Sequence, residues 1–173
     1  YDVRAIGAAI TDSSKLVVIV SPNNPSGGAV DPDELAAFLA DLPDHVLPVV
    51  DEAYFEFMDE GSHDAIALTR GARPLAVTRT FSKIYGLAGL RVGYLVAPSG
   101  LIEAIGRVRN VFDVNHMALL AATASVGDAE AIVAERGTAN RTERARLAAG
   151  LGERGITPLP SQGNFLFFDA GSP

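Results

Sequence analysis

Cysteine and tryptophan are absent from the 173-residue chain, and lysine occurs only at Lys15 and Lys83. Without cysteine the chain cannot form disulfides, thiolate metal sites or iron–sulfur clusters. The histidines His45, His63 and His116 are scattered without the spacing of metal ligands, so we expect no metal site. Because nothing points to an oxidising compartment, we expect a cytoplasmic location.

Long apolar runs and an excess of basic residues are also missing. No stretch approaches the roughly 18 uncharged apolar residues of a membrane span, and the first residues lack the layout of a signal peptide. The formal net charge of -7 argues against a nucleic-acid partner, because phosphate binding needs a basic face. A composition of 48% hydrophobic and 20% charged residues indicates a globular chain.

Short apolar runs alternate with amphipathic helical patterns in the first hundred residues, which is typical of an α/β fold. Strands are predicted over residues 16–20, 45–54, 75–81 and 90–97. A helix is predicted over residues 31–42, with Asp31 as its N-cap and Pro32 at its first position. Because the strands are too apolar for an exposed sheet, we expect a three-layer sandwich, with helices on both faces of a mostly parallel sheet.

Beyond Asn110 the strand pattern gives way to a region rich in alanine, glutamate and arginine. Residues 117–155 of this region predict two or more helices. One last strand is predicted over residues 163–171. A single strand needs neighbours, so we expect a second, smaller domain to begin here and to continue beyond Pro173.

Two polar features follow predicted strands, where parallel α/β sheets bind their ligands. Asp51 ends the second strand, and such a carboxylate is either a structural cap or ion pair, or the partner of a cationic cofactor ring nitrogen. Tyr54 would bring a phenol to the same side. The turn SPNNPSGG (21–28) follows the first strand and is either a plain connection, with an Asn–Pro bond suited to cis, or a loop in which Asn24 donates to a ligand.

Lys83 stands among glycines and apolar residues in TRTFSKIYGLAGLRVGY (78–94). Arginine would serve a structural ion pair as well, but arginine stays protonated and cannot act as a nucleophile. A lysine in apolar surroundings can form a Schiff base with an aldehyde. The hydroxyls of Thr80 and Ser82 and the guanidinium of Arg91 offer donors for a phosphate. Together with the carboxylate that ends the second strand, these groups predict a site for a phosphorylated aldehyde.

Three motifs, NNPSG, DEAYFEF and TRTFSKIYGLAGLRVGY, resemble in order and spacing those of the fold-type I pyridoxal 5′-phosphate (PLP) aminotransferases. Within this family they most resemble the histidinol-phosphate aminotransferases and the actinobacterial aromatic (phenylalanine) aminotransferases. The resemblance runs over essentially the whole chain. It implies that residues 1–110 belong to the large PLP-binding domain, that residues 111–150 are interdomain helices, and that residues 151–173 begin a small α+β domain.

The resemblance also implies a role for each candidate residue. Lys83 would hold PLP as an internal aldimine and then shuttle a proton between Cα of the amino acid and C4′ of the cofactor. Asp51 would keep the pyridine nitrogen protonated, and Asn24 and Tyr54 would hydrogen-bond the phenolic oxygen of the ring. The phosphate would be anchored by Thr80, Ser82 and Arg91.

The activity that the resemblance implies is transamination between an amino-acid-like donor, histidinol phosphate or an aromatic amino acid, and a 2-oxo acid such as 2-oxoglutarate. Family members are longer and usually homodimeric, and they take the arginine that binds the substrate carboxylate and the aromatic ring that stacks on PLP from parts outside this chain. Two alternatives stay open: a PLP decarboxylase of the threonine-phosphate type, and a catalytically incomplete fragment.

Overall fold

The computed structural model describes residues 2–59, 64–71 and 73–171. In chain order, the helices and strands are α1 (Val3–Ala8), β1 (Leu16–Val20), α2 (Pro32–Asp41), β2 (Leu47–Asp51), β3 (Ala76–Thr80), β4 (Gly93–Val96), α3 (Ser99–Gly106), α4 (His116–Gly127) and α5 (Ala129–Gly152). Short 3-10 helices occupy Phe55–Phe57, Ala65–Arg70 and Ala88–Leu90. The four strands predicted in the first hundred residues are therefore present, the first at its predicted bounds and the others shorter.

The strands of the described residues form one sheet in the order β1-β2-β3-β4. β1, β2 and β3 are parallel, and their register places Val20, Asp51 and Thr78 in one row. β4 runs antiparallel to β3, with Gly93 opposite Thr80. The predicted α/β class with a mostly parallel sheet is confirmed. Because β1, β2 and β3 run in the same direction, they end at one edge of the sheet, and β4 begins at that edge.

The start of α2 shows the capping that its sequence predicts. Asp31 lies in an extended conformation, and its carboxylate accepts hydrogen bonds from the backbone N–H groups of Asp33 and Glu34. Pro32 occupies the first helical position, where a missing N–H has no consequence. The cap therefore sets where the chain turns from the loop after β1 into the helix.

One face of the sheet carries the main apolar core. The buried side chains there include Val17, Ile19, Val50 and Val77 of the sheet, Val3 of α1, and Leu35, Phe38 and Leu39 of α2. On the opposite face of β1, Leu16 is 53% exposed and Val18 is 44% exposed. Within the described residues α1 and α2 pack on the same side of the sheet, so they do not cover the face of β1 that carries Leu16 and Val18.

The helices predicted over residues 117–155 are present as α4 and α5, whereas α3 was not predicted from the sequence. α4 and α5 are separated by a break at Asp128. In the described part of the chain no single helix is long and apolar enough to cross a membrane; α4 and α5 pass that test only when joined, and they bend by 82°.

The strand predicted over residues 163–171 is wrong. These residues form no strand where the structure describes them. The N–H of Leu159 donates a hydrogen bond to the carbonyl of Phe167 at 2.8 Å. Both residues belong to the stretch after α5, so this bond does not attach the stretch to the sheet. An isolated extended segment with no neighbouring strand cannot complete a ladder, however apolar its sequence.

A buried ion pair joins β3 to the loop after β2. Arg79 Nη2 lies 2.6 Å from Glu52 Oε2, and the two side chains are only 9% and 4% exposed. Arg79 also contacts Asp64 at 2.6 Å, and its guanidinium carbon lies 3.6 Å from the centroid of the Phe55 ring. Burial raises the pKa of the Glu52 carboxyl, and hydrogen bonds from the N–H of Ala65 and from Arg79 offset part of that rise.

Replacing Arg79 by methionine is expected to lower the free energy of unfolding by about 3 to 5 kcal/mol, because Glu52 stays buried without its cationic partner. The measurement is urea denaturation at neutral pH. The control is Arg4→Met, which breaks an ion pair with Glu34 whose side chains are 85% and 47% exposed and costs at most about 1 kcal/mol. Equal losses in the two variants would contradict the prediction.

Candidate functional site

Several candidate residues that are distant in the sequence lie at the edge of the sheet where β1, β2 and β3 end. Asp51 is the last residue of β2, and Thr80 is the last residue of β3. Asn24 lies in the turn after β1, and Arg91 lies two residues before β4 begins at Gly93. This edge is where parallel α/β sheets commonly bind ligands.

Asn24 and Tyr54 contact each other at this edge. The side-chain amide of Asn24 donates a hydrogen bond to the Tyr54 hydroxyl at 2.9 Å. Tyr54 is 4% exposed, whereas Asn24 lies at the surface of the turn. The Asn24–Pro25 peptide bond is cis, as the turn sequence suggested. The pair therefore joins the turn after β1 to the loop after β2.

Lys83 lies over the same tyrosine. Its Nζ is 4.9 Å from the centroid of the Tyr54 ring, within the range of a cation–π contact. Nζ makes no hydrogen bond or ion pair with any residue that the structure describes. Tyr54 therefore brings Asn24 and Lys83, 59 positions apart in the sequence, to one place.

Asp51 is half-buried at the end of β2, and its Oδ1 accepts a hydrogen bond from the N–H of Ala53 at 3.1 Å. The described ranges contain no ion pair to Asp51. Of the two structural interpretations, the loop cap is present and the ion pair is not. The carboxylate keeps an oxygen available for another donor.

The three residues predicted to bind a phosphate are only partly brought together. Thr80 Oγ1 accepts a hydrogen bond from the N–H of Ser82 at 3.1 Å. Arg91 has φ 55° and ψ 55°, a left-handed conformation that is uncommon for a residue with a side chain. Its exposed guanidinium donates to the carbonyl of Ala88 at 2.6 Å and forms no bond to Thr80 or Ser82 in the described structure.

A segment that was predicted as part of a strand lies instead beside the candidate site. The ring of Phe165 meets the Tyr54 ring edge-on, with centroids 5.2 Å apart and planes at 81°. The N–H of Gln162 donates to the carbonyl of Gly27 at 2.8 Å. Gly27 has φ 80°, and a Cβ on it would fall 2.9 Å from Cα of Ser161. The polar stretch SQGN before the apolar FLFF is the one sequence signal for a loop here.

Glu56 is a second carboxyl group in the loop after β2. Its Oε2 is buried and has no hydrogen-bond partner among the residues that the structure describes. Burial raises the pKa of Glu56, and the charge of Arg79 offsets part of that rise. Burial and the nearby Glu56 charge in turn raise the pKa of the Tyr85 hydroxyl. Glu52 and Glu56 of this loop therefore differ, because Glu52 pairs with Arg79 whereas Oε2 of Glu56 has no hydrogen-bond partner in the described structure.

The described ranges contain no group of histidine, aspartate and glutamate side chains that could hold a metal ion. A ring nitrogen of His45 lies 3.3 Å from the carbonyl of Thr11. His116 is the exposed first residue of α4, and His63 lies outside the described residues.

The fold agrees with the comparison with known proteins. The family model for aminotransferase class I and II matches residues 1–173, and the chain belongs to this family. It is 44% identical to an aromatic amino acid aminotransferase of Mycobacteroides abscessus over 99% of this chain and 49% of the relative. It is also 44% identical to histidinol-phosphate aminotransferase 2 of Methylococcus capsulatus over 100% of this chain and 47% of the relative.

The fold is that of solved aminotransferases. The crystal structure of the histidinol-phosphate aminotransferase of Sinorhizobium meliloti in complex with pyridoxal-5′-phosphate superposes with a TM-score of 0.91 at 32% identity. That superposition covers 99% of this chain and 46% of the other. The chain thus spans about half the length of the curated relatives that it matches.

The buried carboxyl of Glu56 predicts how stability depends on pH. Because its raised pKa means that the folded chain holds this proton more tightly than the unfolded chain, the contribution of Glu56 to the free energy of unfolding falls as the pH rises above the ordinary pKa of 4.5. The variant Glu56→Gln removes this loss. It is expected to match the parent protein near pH 4 and to exceed its free energy of unfolding by about 1 to 3 kcal/mol near pH 7.

The measurement is urea denaturation across this pH range. Glu135→Gln, which replaces an exposed carboxylate on α5, is the matched control. A difference between Glu56→Gln and the parent protein that stays constant with pH would contradict the prediction.

Proposed function

We propose that the protein that contains this chain is a PLP-dependent aminotransferase. It moves an amino group between an amino-acid-like donor, histidinol phosphate or an aromatic amino acid, and a 2-oxo acid such as 2-oxoglutarate. The observation that carries the proposal is the contact of Lys83 Nζ with the ring of Tyr54, whose hydroxyl is hydrogen-bonded to Asn24. Membership of the family and the names of the relatives support the same reaction class.

The side chains at the sheet edge fit the reactive parts of PLP. The amine of Lys83 forms no hydrogen bond or ion pair with the described residues, which suits it to bond to an aldehyde carbon. The carboxylate of Asp51 has no ion-pair partner there, which suits it to a protonated ring nitrogen. An ordinary structural lysine or strand-end aspartate would be expected to have its own counter-charge.

The remaining donors fit the oxygen atoms of the cofactor. Asn24 uses one N–H of its amide on Tyr54, so its second N–H and the phenolic O–H are both available to a ring oxygen. The hydroxyls of Thr80 and Ser82 and the unused N–H groups of Arg91 are the donors for a phosphate. Arg91 would have to exchange its bond to Ala88 for this role.

PLP, when bound, supplies an aromatic ring that accepts the electron pair released when a bond to Cα of the substrate breaks. Asp51 holds the proton on the ring nitrogen, which keeps the ring electron-poor. Asn24 and Tyr54 orient the ring through its oxygen atom. Lys83 Nζ would hold the aldehyde carbon by replacing its oxygen, which leaves as water. Once the substrate amine has displaced it, the free Nζ would take the proton from Cα and return it to the cofactor carbon.

The larger organisation of the protein is part of the proposal. Residues 1–110 would form part of the cofactor-binding domain, 111–150 the interdomain helices, and 151–173 the start of a small domain. We also propose a homodimer, as the resemblance implies, and a cytoplasmic location. Exposed apolar side chains after α3 support a surface that the complete assembly covers. They include Val108, Val111, Phe112 and Met117, which are 84%, 79%, 92% and 66% exposed.

Reduction with borohydride after incubation with PLP is expected to attach the cofactor to Lys83. Borohydride makes the lysine–PLP bond permanent, and peptide mapping by mass spectrometry then locates the added mass. The label should be confined to the peptide that contains Lys83, because this amine lies at the donor-rich edge and Lys15 does not. The experiment uses the protein as its gene encodes it.

Lys15 is the internal control for this labelling, because it is the only other lysine of the chain. Lys83→Ala should abolish the label, and Lys15→Ala should leave it unchanged. Equal labelling of both lysines, or no label, would overturn the assignment of Lys83 and the cofactor.

The reaction class is tested by a single half-reaction. Mixing the PLP-loaded protein with phenylalanine or with histidinol phosphate is expected to convert the cofactor to its amine form, and 2-oxoglutarate should restore the aldehyde form. The measurement is the absorption spectrum of the protein together with chromatography of the products. Release of carbon dioxide from threonine phosphate without formation of the amine form would favour the decarboxylase instead.

A further inference from the structure

Residues 161–165 are held in place by polar contacts from two directions. Asp59 donates its N–H to Gln162 Oε1 at 2.9 Å, and Gln162 Nε2 donates to Asp59 Oδ2 at 3.1 Å. Arg144 of α5 donates to Asp59 Oδ1 and to the carbonyl of Gly163, both at 3.0 Å. Asn140 donates to the same carbonyl at 3.1 Å. We refer to these five residues as the Gln162 cluster.

The cluster is not a local turn. Gln162 and Asp59 are 103 residues apart, so their paired hydrogen bonds join the region after α5 to the loop after β2. The side chain of Arg144 is only 13% exposed, which reduces the competition of water for its bonds. The cluster therefore sets the position of residues 161–165 relative to the sheet edge.

The same segment touches both partners of the Asn24–Tyr54 hydrogen bond. On one side, the N–H of Gln162 bonds the carbonyl of Gly27, in the turn that carries Asn24. On the other side, the Phe165 ring packs edge-on against the ring of Tyr54. A shift of the segment would therefore disturb both the turn and the phenol.

We propose that the Gln162 cluster is a positioning element for Asn24 and Tyr54, an inference that rests on the proposed function. Two donors act together on one ligand oxygen only where their spacing is held constant. Asn24 is exposed and lies in a loop, so the segment 161–165 supplies a rigid support that the turn itself lacks. Gln162 acts on the ligand through Asn24 and Tyr54 and makes no contact with the ligand itself.

The test exchanges the hydrogen-bonding groups of the cluster in the protein as its gene encodes it. Gln162→Glu keeps the size of the side chain but places a second carboxylate oxygen against Asp59 Oδ2. We expect the Kd for PLP to rise about tenfold and kcat to fall about tenfold, with little change in KM for the amino donor. In the double variant Gln162→Glu with Asp59→Asn, the asparagine amide again provides an N–H donor between the two side chains. This variant should recover most of the lost affinity for PLP and most of the lost kcat.

Arg146→Ala is the matched control, because Arg146 lies two positions along α5 and pairs with the exposed Glu143. It should change neither the Kd for PLP nor kcat. If Gln162→Glu does not fold, Phe165→Leu tests the other contact of the segment and should raise the Kd for PLP in the same direction.

The thermal midpoint, measured on every variant, separates positioning from stability. A lower midpoint with unchanged Kd and kcat, or a failure of Asp59→Asn to restore Gln162→Glu, would overturn the inference and leave the proposed function standing. If the parent protein itself takes up no PLP on Lys83, both the proposed function and the inference fail.

Discussion

The parallel pairing of β1, β2 and β3 is the constraint on which the candidate site depends. It makes three separate segments end at one edge of the sheet, so that Asn24, Asp51 and Thr80 follow or end neighbouring strands. The antiparallel β4 begins at the same edge and adds the loop with Arg91. The burial of Val17, Ile19 and Val50 under α1 and α2 holds this register, since a slip of one residue would turn these side chains outward.

Two neighbouring carboxylates at this edge meet opposite environments. Glu52 is enclosed and neutralised by Arg79, with a further hydrogen bond from the N–H of Ala65. Asp51 points to the other side of the chain and receives one backbone hydrogen bond, from Ala53. The ion pair of Glu52 ties β3 to the loop after β2, and this leaves Asp51 as the carboxylate that can serve a ligand. Two adjacent residues thus have different roles: Glu52 forms a structural ion pair, and Asp51 is a candidate ligand-binding carboxylate.

The candidate residues could be predicted from the sequence because each stands out from the residues next to it in the chain. Lys83 is one of two lysines in a chain with twelve arginines, and Asp51 ends an apolar strand. The turn that contains Asn24 is rich in proline, asparagine and glycine. The strand after α5 was predicted wrongly by the same reasoning. An apolar run such as FLFF becomes a strand only if a neighbour completes its hydrogen bonds, and a one-dimensional pattern contains no information about neighbours.

The sequence by itself therefore determined the α/β class, the order of the strands along the chain, the cap of α2 and the residue types available for chemistry, because propensity and periodicity act over a few residues. Only the tertiary structure decided that Tyr54 contacts both Lys83 and Phe165, that Gln162 pairs with Asp59, and that α1 and α2 pack on the same face of the sheet. These contacts join residues far apart in the chain, and they exist only because the sheet and helices pack in one particular arrangement.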